Sequence, residues 1–306
     1  MRCVRHPSQR GAAIVVAMLA VFLVAGIAAS LLADLGRTID GSSGLSDQAQ
    51  ARQLARDAVD WARNVLADDK KRTSVDHAGE LWATPVPPIP VEDGEVSGEI
   101  VDWSGRFNLN NLAPRGKADY TAAGQFERLL AALGIEPGRA AAMSRALLAR
   151  LVTVRESPSA STASLQGMGY AERGPLLDLA ELHAVPGFDA AIVERLRPVV
   201  VAVRAPSRIN VNTASAEVLH AVTTGLDLAT AGALVAERER AWFRNLGDLQ
   251  GRLPAGASLS AASGVDVRST HFLVTGRARY GRAMMAGPAI RTVGGTGCQG
   301  AGCRAG

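Results

Sequence analysis

Residues 12–33 read AAIVVAMLAVFLVAGIAASLLA, 22 residues without one charge. As a helix rising ~1.5 Å per residue this run spans roughly 33 Å, about the thickness of a bilayer's hydrocarbon core. Arg2, Arg5 and Arg10 precede it, and the first acid is Asp34. Basic flanks stay on the cytoplasmic side, so the leader reads as cytoplasmic and the rest of the chain as lying outside the inner membrane. A secretory signal peptide would have a shorter apolar region and a small-x-small cut after it, for which Ala28-Ala29-Ser30 offers a place. A plain signal anchor fits the length. Neither reading accounts for the junction Gln9-Arg10-Gly11-Ala12, where a basic residue and a glycine lead straight into unbroken apolar sequence.

The formal net charge is +4, from 33 basic and 29 acidic residues. Three of the bases lie in the leader, so 33 − 3 = 30 remain and the body stands at 30 − 29 = +1. A nearly neutral body lacks the basic excess that phosphate binding uses, whatever the whole-chain isoelectric point suggests. Of the three cysteines, Cys3 is in the leader, while Cys298 and Cys303 sit five apart in a Gly-rich tail. In an oxidising compartment the last two can pair and close a small loop. Alternatively they are tail residues without structural weight. No His lies near enough to make them a zinc site.

Beyond residue 33 the helical pattern continues. Leu54, Ala55, Ala58, Val59, Ala62 and Leu66 recur at three- and four-residue spacing, with Gln53, Arg56, Asp57, Asp60 and Arg63 on the other face. This predicts one helix from Ala12 to about Asp68, or two helices jointed at Gly36, Gly41 and Gly44. Prolines 85, 87, 88 and 90 forbid helix and predict an extended entry segment. Val96–Asp102 and Arg106–Leu109 then read as a hairpin across Trp103-Ser104-Gly105. Phe126, Leu129, Leu130 and Leu133 make one helical stripe, ended by Gly134. Ala140, Met143, Ala146, Leu147 and Leu151 make the next. Residues 157–169, rich in Ser, Ala and Gly, read as a mobile loop. Two helical-hairpin segments follow, 175–202 and 209–253. Asn212 and Thr213 are read as capping a helix that begins at Ala214. His271–Ala278 and the stretch around Arg282–Ile290 alternate as strands, the second limited by Gly287-Pro288. The tail 293–306 reads as disordered.

The Gly11–Ala12 junction with its apolar run resembles the prepilin-peptidase site of type IV pilins and type II secretion pseudopilins. In that family the cut falls after the glycine and the apolar helix is retained. The run Gly105-Arg106-Phe107-Asn108-Leu109-Asn110 and the segment Ile209–Ala214 resemble the type II secretion minor pseudopilin K family. The resemblance implies an α+β fold: a pilin-like long N-terminal helix packed on a small antiparallel sheet, with an inserted helical domain of SAM-like modules. The implied division is 1–11 leader, 12–33 transmembrane part of the helix, 34–112 first part of the head, 113–264 inserted domain, 265–292 returning strands and 293–306 tail. It implies a structural subunit that caps and helps initiate a pseudopilus. Its partners would be I-, J- and H-like minor pseudopilins, the major pseudopilin, the prepilin peptidase and an inner-membrane assembly platform. Most relatives carry a glutamate at the fifth mature position, thought to pair with the amino terminus of the subunit ahead. Here that position is Val16, which suits a subunit with none ahead of it. Family members also bind calcium through an acidic run after the second helix. Between Met143 and Gly174 this chain has only Glu156 and Glu172. Calcium takes six to eight oxygens, so no cofactor is expected and the family's calcium site is expected to be absent or weakened.

Two other classes of function fit less well. The segment 209–219 also occurs in membrane-anchored helix-hairpin-helix DNA receptors of the competence type. Their phosphate-binding turn reads apolar-Pro-Gly-apolar-Gly. Here Val185-Pro186-Gly187-Phe188-Asp189 lacks the last glycine, Thr223-Thr224-Gly225-Leu226-Asp227 has no proline, and each places an aspartate where phosphate would approach. For an enzyme, His77, His183, His220 and His271 are scattered without metal-ligand spacing. There is no G-x-S-x-G run and no phosphate-binding glycine loop. Trp242 and Phe243, after the charged run 237–240, read as aromatics closing a core behind a solvated helix face, or as an exposed edge.

Overall fold

A computed structural model describes residues 10–152, 174–260, 263–292 and 298–299. The chain opens with α1, Arg10–Arg72, 63 residues in one helix. The glycines at 36, 41 and 44 do not break it, because an isolated glycine costs only about 1 kcal/mol against alanine. At ~1.5 Å per residue α1 is roughly 95 Å long. Its Ile14–Leu35 part has a mean hydropathy of 2.8 and none of it is buried. Among the described side chains, α1 buries them only from Ala51 onward, and Val59, Ala62 and Leu66 pack with Ile100, Phe272 and Val274 of the sheet.

That sheet has five strands in the order β1-β2-β7-β8-β9. Strand β1, Val86–Val91, turns tightly through Glu92 and Asp93 into β2, Gly94–Asp102. The hairpin therefore precedes the one expected from the sequence. Pro87, Pro88 and Pro90 are accommodated because β1 is an edge strand, where a missing N–H costs little. What was read as the second hairpin strand is β3, Phe107–Asn108. It leaves the sheet and pairs in parallel with β4, Val200–Val201, more than ninety residues away. Strands β7 (His271–Tyr280) and β8 (Ala283–Thr292) return as an antiparallel pair. Gly287-Pro288 does not limit β8, which runs on to Thr292. Beyond it, Cys298–Gln299, in the stretch expected to be disordered, pairs with Ile290 and Arg291 as β9. The helix crosses this sheet closely at Gly276. A Cβ there would lie 3.0 Å from the Ala55 carbonyl oxygen, so glycine is what lets α1 approach.

The helical domain lies between β3 and the short strand β6, Val265–Asp266, which pairs in parallel with β5, Ile209–Asn210. Its helices are α2 (Tyr120–Ala132), α3 (Pro137–Leu151), α4 (Ala190–Leu196), α5 (Ala216–Val222), α6 (Leu228–Arg240) and α7 (Leu246–Arg252). Phe126, Leu129 and Leu130 of α2 meet Met143 and Leu147 of α3 in a continuous core that reaches Phe107, Leu219 and Phe243. The head has a separate, smaller cluster built from Val59, Ala62, Leu66, Trp82, Ile100, Phe272 and Val274. The expected α+β class, with a long N-terminal helix on a small antiparallel sheet and a helical insertion, is the architecture found.

Candidate functional site

Among the described residues, three acids, Asp69, Asp76 and Glu80, form the one cluster with metal-ligating side chains. The molecule's unusual surface is α1 itself. Val16 lies within the exposed apolar stretch, with 68% of its surface open. Gly11 and Ala12 are in the first turns of α1. Cys298 lies in β9, and Cys303, its expected partner in a disulfide, is outside the described residues, as is the 157–169 loop.

Further along α1, past the polar stretch 36–53, a second apolar surface opens on the head as a groove. Trp61 and Val65 of α1 form one wall, and Leu81, Trp82, Ile89 and Val96 form the other, around a volume of about 600 Å³. α1 packs mainly on β7 and β8 and less on β2. The proline-rich strand lines the groove through Val86, Pro87, Ile89 and Val91. Trp61 is 54% exposed and Leu81 is 81% exposed. Asp57 and Glu99 line its edge. An apolar trough of this kind beside a long helix can take the apolar face of a partner segment.

The sequence motifs turn out to be clasps rather than reactive groups. In the run 105–112 each asparagine grips distant backbone. Asn108 Nδ2 donates to the Val203 and Ala205 carbonyls, both at 3.0 Å, and its Oδ1 accepts from the Val203 N–H at 3.1 Å. Asn110 Nδ2 donates to Leu176 and Val203 carbonyls, both at 2.9 Å, while its Oδ1 accepts from the Leu176 N–H at 2.7 Å. Asn111 makes the same two-way contact with Ser207. Backbone that is buried without a sheet partner must be satisfied somehow, and these side chains do it. Asn212 does not cap a helix. It exchanges two hydrogen bonds with the backbone of Phe243, and the helix expected at Ala214 begins at Ala216 with Ser215 as its cap. Gly105 is required because a Cβ there would run into Thr213.

Thr213 belongs to a second network, at the joint between head and helical domain. The Asp102 carboxylate, at the end of β2, is buried and accepts from Ser269 Oγ, Thr213 Oγ1, Asn210 Nδ2 and the Ser104 N–H. Burial pushes its pKa up, against the pull of those four donors. No sequence pattern marked it, since a lone aspartate at a strand end carries no signal of burial. Nearby, Asp69, Asp76 and Glu80 bring carboxylate oxygens within 4.8 Å of one another. The Glu80 oxygens are already engaged by Thr73 Oγ1, the His77 N–H and Trp82 Nε1. Trp242 and Phe243 divide the two readings between them. Phe243 is fully buried, whereas Trp242 is half exposed and stacks on His77 with ring centroids 4.0 Å apart.

The two turns considered for phosphate are occupied from within. Asp189 Oδ1 accepts the Ile192 N–H at the start of α4, and Asp227 accepts both the N–H and the hydroxyl of Thr230 at the start of α6. These bonds hold both carboxyls below the usual range. A negative charge already sits where an incoming phosphate would need those N–H groups.

Comparisons with known proteins agree on one family. Two family models described as type II secretion system (T2SS), protein K, match residues 105–205 and 209–275. The type II secretion system protein K of Pseudomonas aeruginosa is 30% identical over 287 residues, covering 89% of this chain and 85% of that protein. That of Pectobacterium carotovorum is 30% identical over 294 residues, covering 89% of each. That of Klebsiella pneumoniae is 32% identical over 217 residues, covering 67% of this chain and 66% of that protein. Among solved structures, a chain of the GspK-GspI-GspJ complex from the type 2 secretion system of enterotoxigenic Escherichia coli superposes with a TM-score of 0.66. It is 21% identical and covers 81% of this chain and 92% of its own length.

Proposed function

This chain belongs to the type II secretion system protein K family, and from that premise we propose that it is a minor pseudopilin that caps a short pseudopilus and helps to start it. The observation that carries the proposal is the arrangement of the apolar surface. One helix, α1, carries two apolar surfaces, the exposed span Ile14–Leu35 and, beyond the polar stretch 36–53, the groove beside Trp61, and the chain continues into a bulky helical domain. A subunit anchored this way can be joined from the side along α1, while the helical domain hinders stacking of a further subunit on top.

In this reading a prepilin peptidase cuts after Gly11, leaving Ala12 as a methylated amino terminus. The retained helix crosses the inner membrane once, with the body in the periplasm. Val16, apolar where most pilins and pseudopilins have a carboxylate, gives no partner to an amino terminus ahead, which suits the tip. I-, J- and H-like minor pseudopilins would lie along α1, followed by the major pseudopilin, and the whole would rest on the inner-membrane platform. The role is mechanical and needs no catalytic group. The few acids after α3 support the further reading that calcium binding is absent or weak.

Three measurements test this directly. Mass spectrometry of the mature protein should find Ala12 first, and a terminus near Ser30 would overturn the pilin reading. The full-length protein co-expressed with its I- and J-like neighbours should co-purify with them, and Trp61→Asp should abolish that association without unfolding the chain. Calorimetric titration should find no submicromolar calcium binding.

A further inference from the structure

The loop after α1 is held between three parts of the molecule, and Asp76 is at its centre. Its N–H donates to the Val267 carbonyl at 3.0 Å, and its own carbonyl accepts from Asn210 Nδ2 of the helical domain at 2.9 Å. Its carboxylate accepts from the Ser269 N–H at 2.7 Å, just before β7. On either side, Arg268 Nε donates to the Ser74 carbonyl and His77 stacks on Trp242. Much of the grip between head and helical domain on this side therefore passes through a few residues around one carboxyl group.

The charges around it are mostly of one sign. Asp76 faces Asp69 from the end of α1, Glu80 from its own loop and Asp102 from β2. The nearby bases have other engagements. Arg72 acts on Asp69, and Arg268 is bonded to the Ser74 carbonyl. Asp266 on β6 pairs with Arg208. Of the two histidines, His77 is in the stack, and His271 bonds Thr270 Oγ1, with its pKa lowered by burial. Asp102 has four donors and Glu80 three, whereas the Asp76 carboxylate has the Ser269 N–H among the described bonds. An ionised carboxylate so placed is poorly solvated and repelled from three sides.

We propose that this joint is a pH-sensitive latch, closed when Asp76 carries a proton and loosened when Asp76 ionises among the other three carboxylates. Burial, supported by the neighbouring charges, lifts its pKa to about 6. The sign follows from linkage. The folded state holds this proton where the unfolded chain, with a value near ~3.9, has lost it. The contribution is present in acid, declines as pH rises towards about 6, and is gone above it. Between pH 5 and pH 7.5 the closed joint should lose roughly tenfold in its equilibrium constant. In the periplasmic placement proposed above, the joint would meet the pH of the cell's surroundings. The latch itself does not depend on that placement.

Hydrogen exchange of the full-length protein in detergent tests this, with protection corrected for the intrinsic pH dependence of exchange. The Asp76 and Ser269 amides should lose about tenfold in protection from pH 5 to pH 7.5, while amides of α2 in the helical core hold theirs. In Asp76→Asn, which keeps an acceptor for the Ser269 N–H but cannot ionise, the joint amides should stay level. Parallel profiles for wild type and Asp76→Asn would overturn the latch, as would an equal loss in α2. Should Asp76→Asn fail to fold, Asp69→Asn decides. Removing that neighbouring charge should move the wild-type transition to lower pH, and an unmoved transition would refute the latch.

Discussion

The head and the helical domain are stabilised in different ways. The helical domain closes on itself, with Phe126, Leu130, Met143 and Leu147 fully enclosed and asparagine side chains satisfying the buried backbone between them. The head has a core of seven buried residues under a helix that extends far beyond it, and it leaves an apolar trough open beside that helix. One unit is finished and the other is incomplete. Contiguous exposed apolar surface on a folded body marks a place where something else packs. The contrast teaches that stability and assembly are divided in this chain. Substitutions in the helical domain should lower folding stability, and substitutions along the groove should lower association alone.

The largest effect expected from this division is in the helical core. Phe126 is fully buried and stacks between Phe107 and Phe188. Phe126→Ala should cost about 4 kcal/mol of folding stability, the usual range for truncating a buried aromatic side chain. Urea denaturation followed by circular dichroism would measure it. A cost under about 1 kcal/mol would mean that the domain is not closed as described. Next comes the clasp. Asn110→Ala leaves the Leu176 N–H unpaired and removes a donor from the Leu176 and Val203 carbonyls. Unsatisfied buried groups cost about 1–3 kcal/mol each, with partial relief where water enters, so about 3 kcal/mol is expected. Asn110→Asp should be nearly as damaging, since a carboxylate cannot donate to those carbonyls. Rescue by Asp would show that shape rather than donation matters. Gly105→Ala is smaller, about 2 kcal/mol, as an overpacking effect against Thr213.

These effects also explain how far the sequence was legible. The uncharged run and the three- and four-residue spacing of Leu54 to Leu66 are local patterns, and α1 follows them. The stripe of Phe126, Leu129 and Leu130 and the alternation of β7 are local too. The misread elements are those whose partners are distant. Val96–Asp102 looks like the first arm of a hairpin because Trp103-Ser104-Gly105 looks like a turn. Its hairpin partner is instead the proline-rich β1, and Phe107–Asn108 pairs with Val200–Val201. Propensity has no access to a pairing across more than ninety residues, and prolines argue against a strand unless its outer edge is known to be free. Asn212 shows the same limit. Asn before a helical run is normally a cap, but Phe243, thirty-one residues later, claims both of its polar atoms. The groove was invisible for a related reason. It is lined jointly by α1, the segment 81–91 and β2, and no local residue pattern encodes a space shared by separate segments.

The smallest effect on stability is the most informative about assembly. Trp61 is more than half exposed, and its neighbour across the groove, Leu81, is almost entirely so. Little apolar area is buried by either in the isolated chain, so Trp61→Ala and Leu81→Ala should each change folding stability by no more than about 0.5 kcal/mol. If a partner segment covers the groove, the same side chains are deeply buried in the complex. An aromatic anchor of that kind commonly contributes about 2 kcal/mol or more to binding. The ratio of the two losses is therefore the useful quantity. Trp61→Ala should leave the urea midpoint unchanged and weaken co-purification with I- and J-like partners by roughly thirtyfold or more. Equal and small losses would leave the groove unoccupied in the assembly and move the contact to the membrane-spanning half of α1. A large loss of folding stability would show that Trp61 already supports the head from within, and the division between a finished and an unfinished unit would fail at that residue.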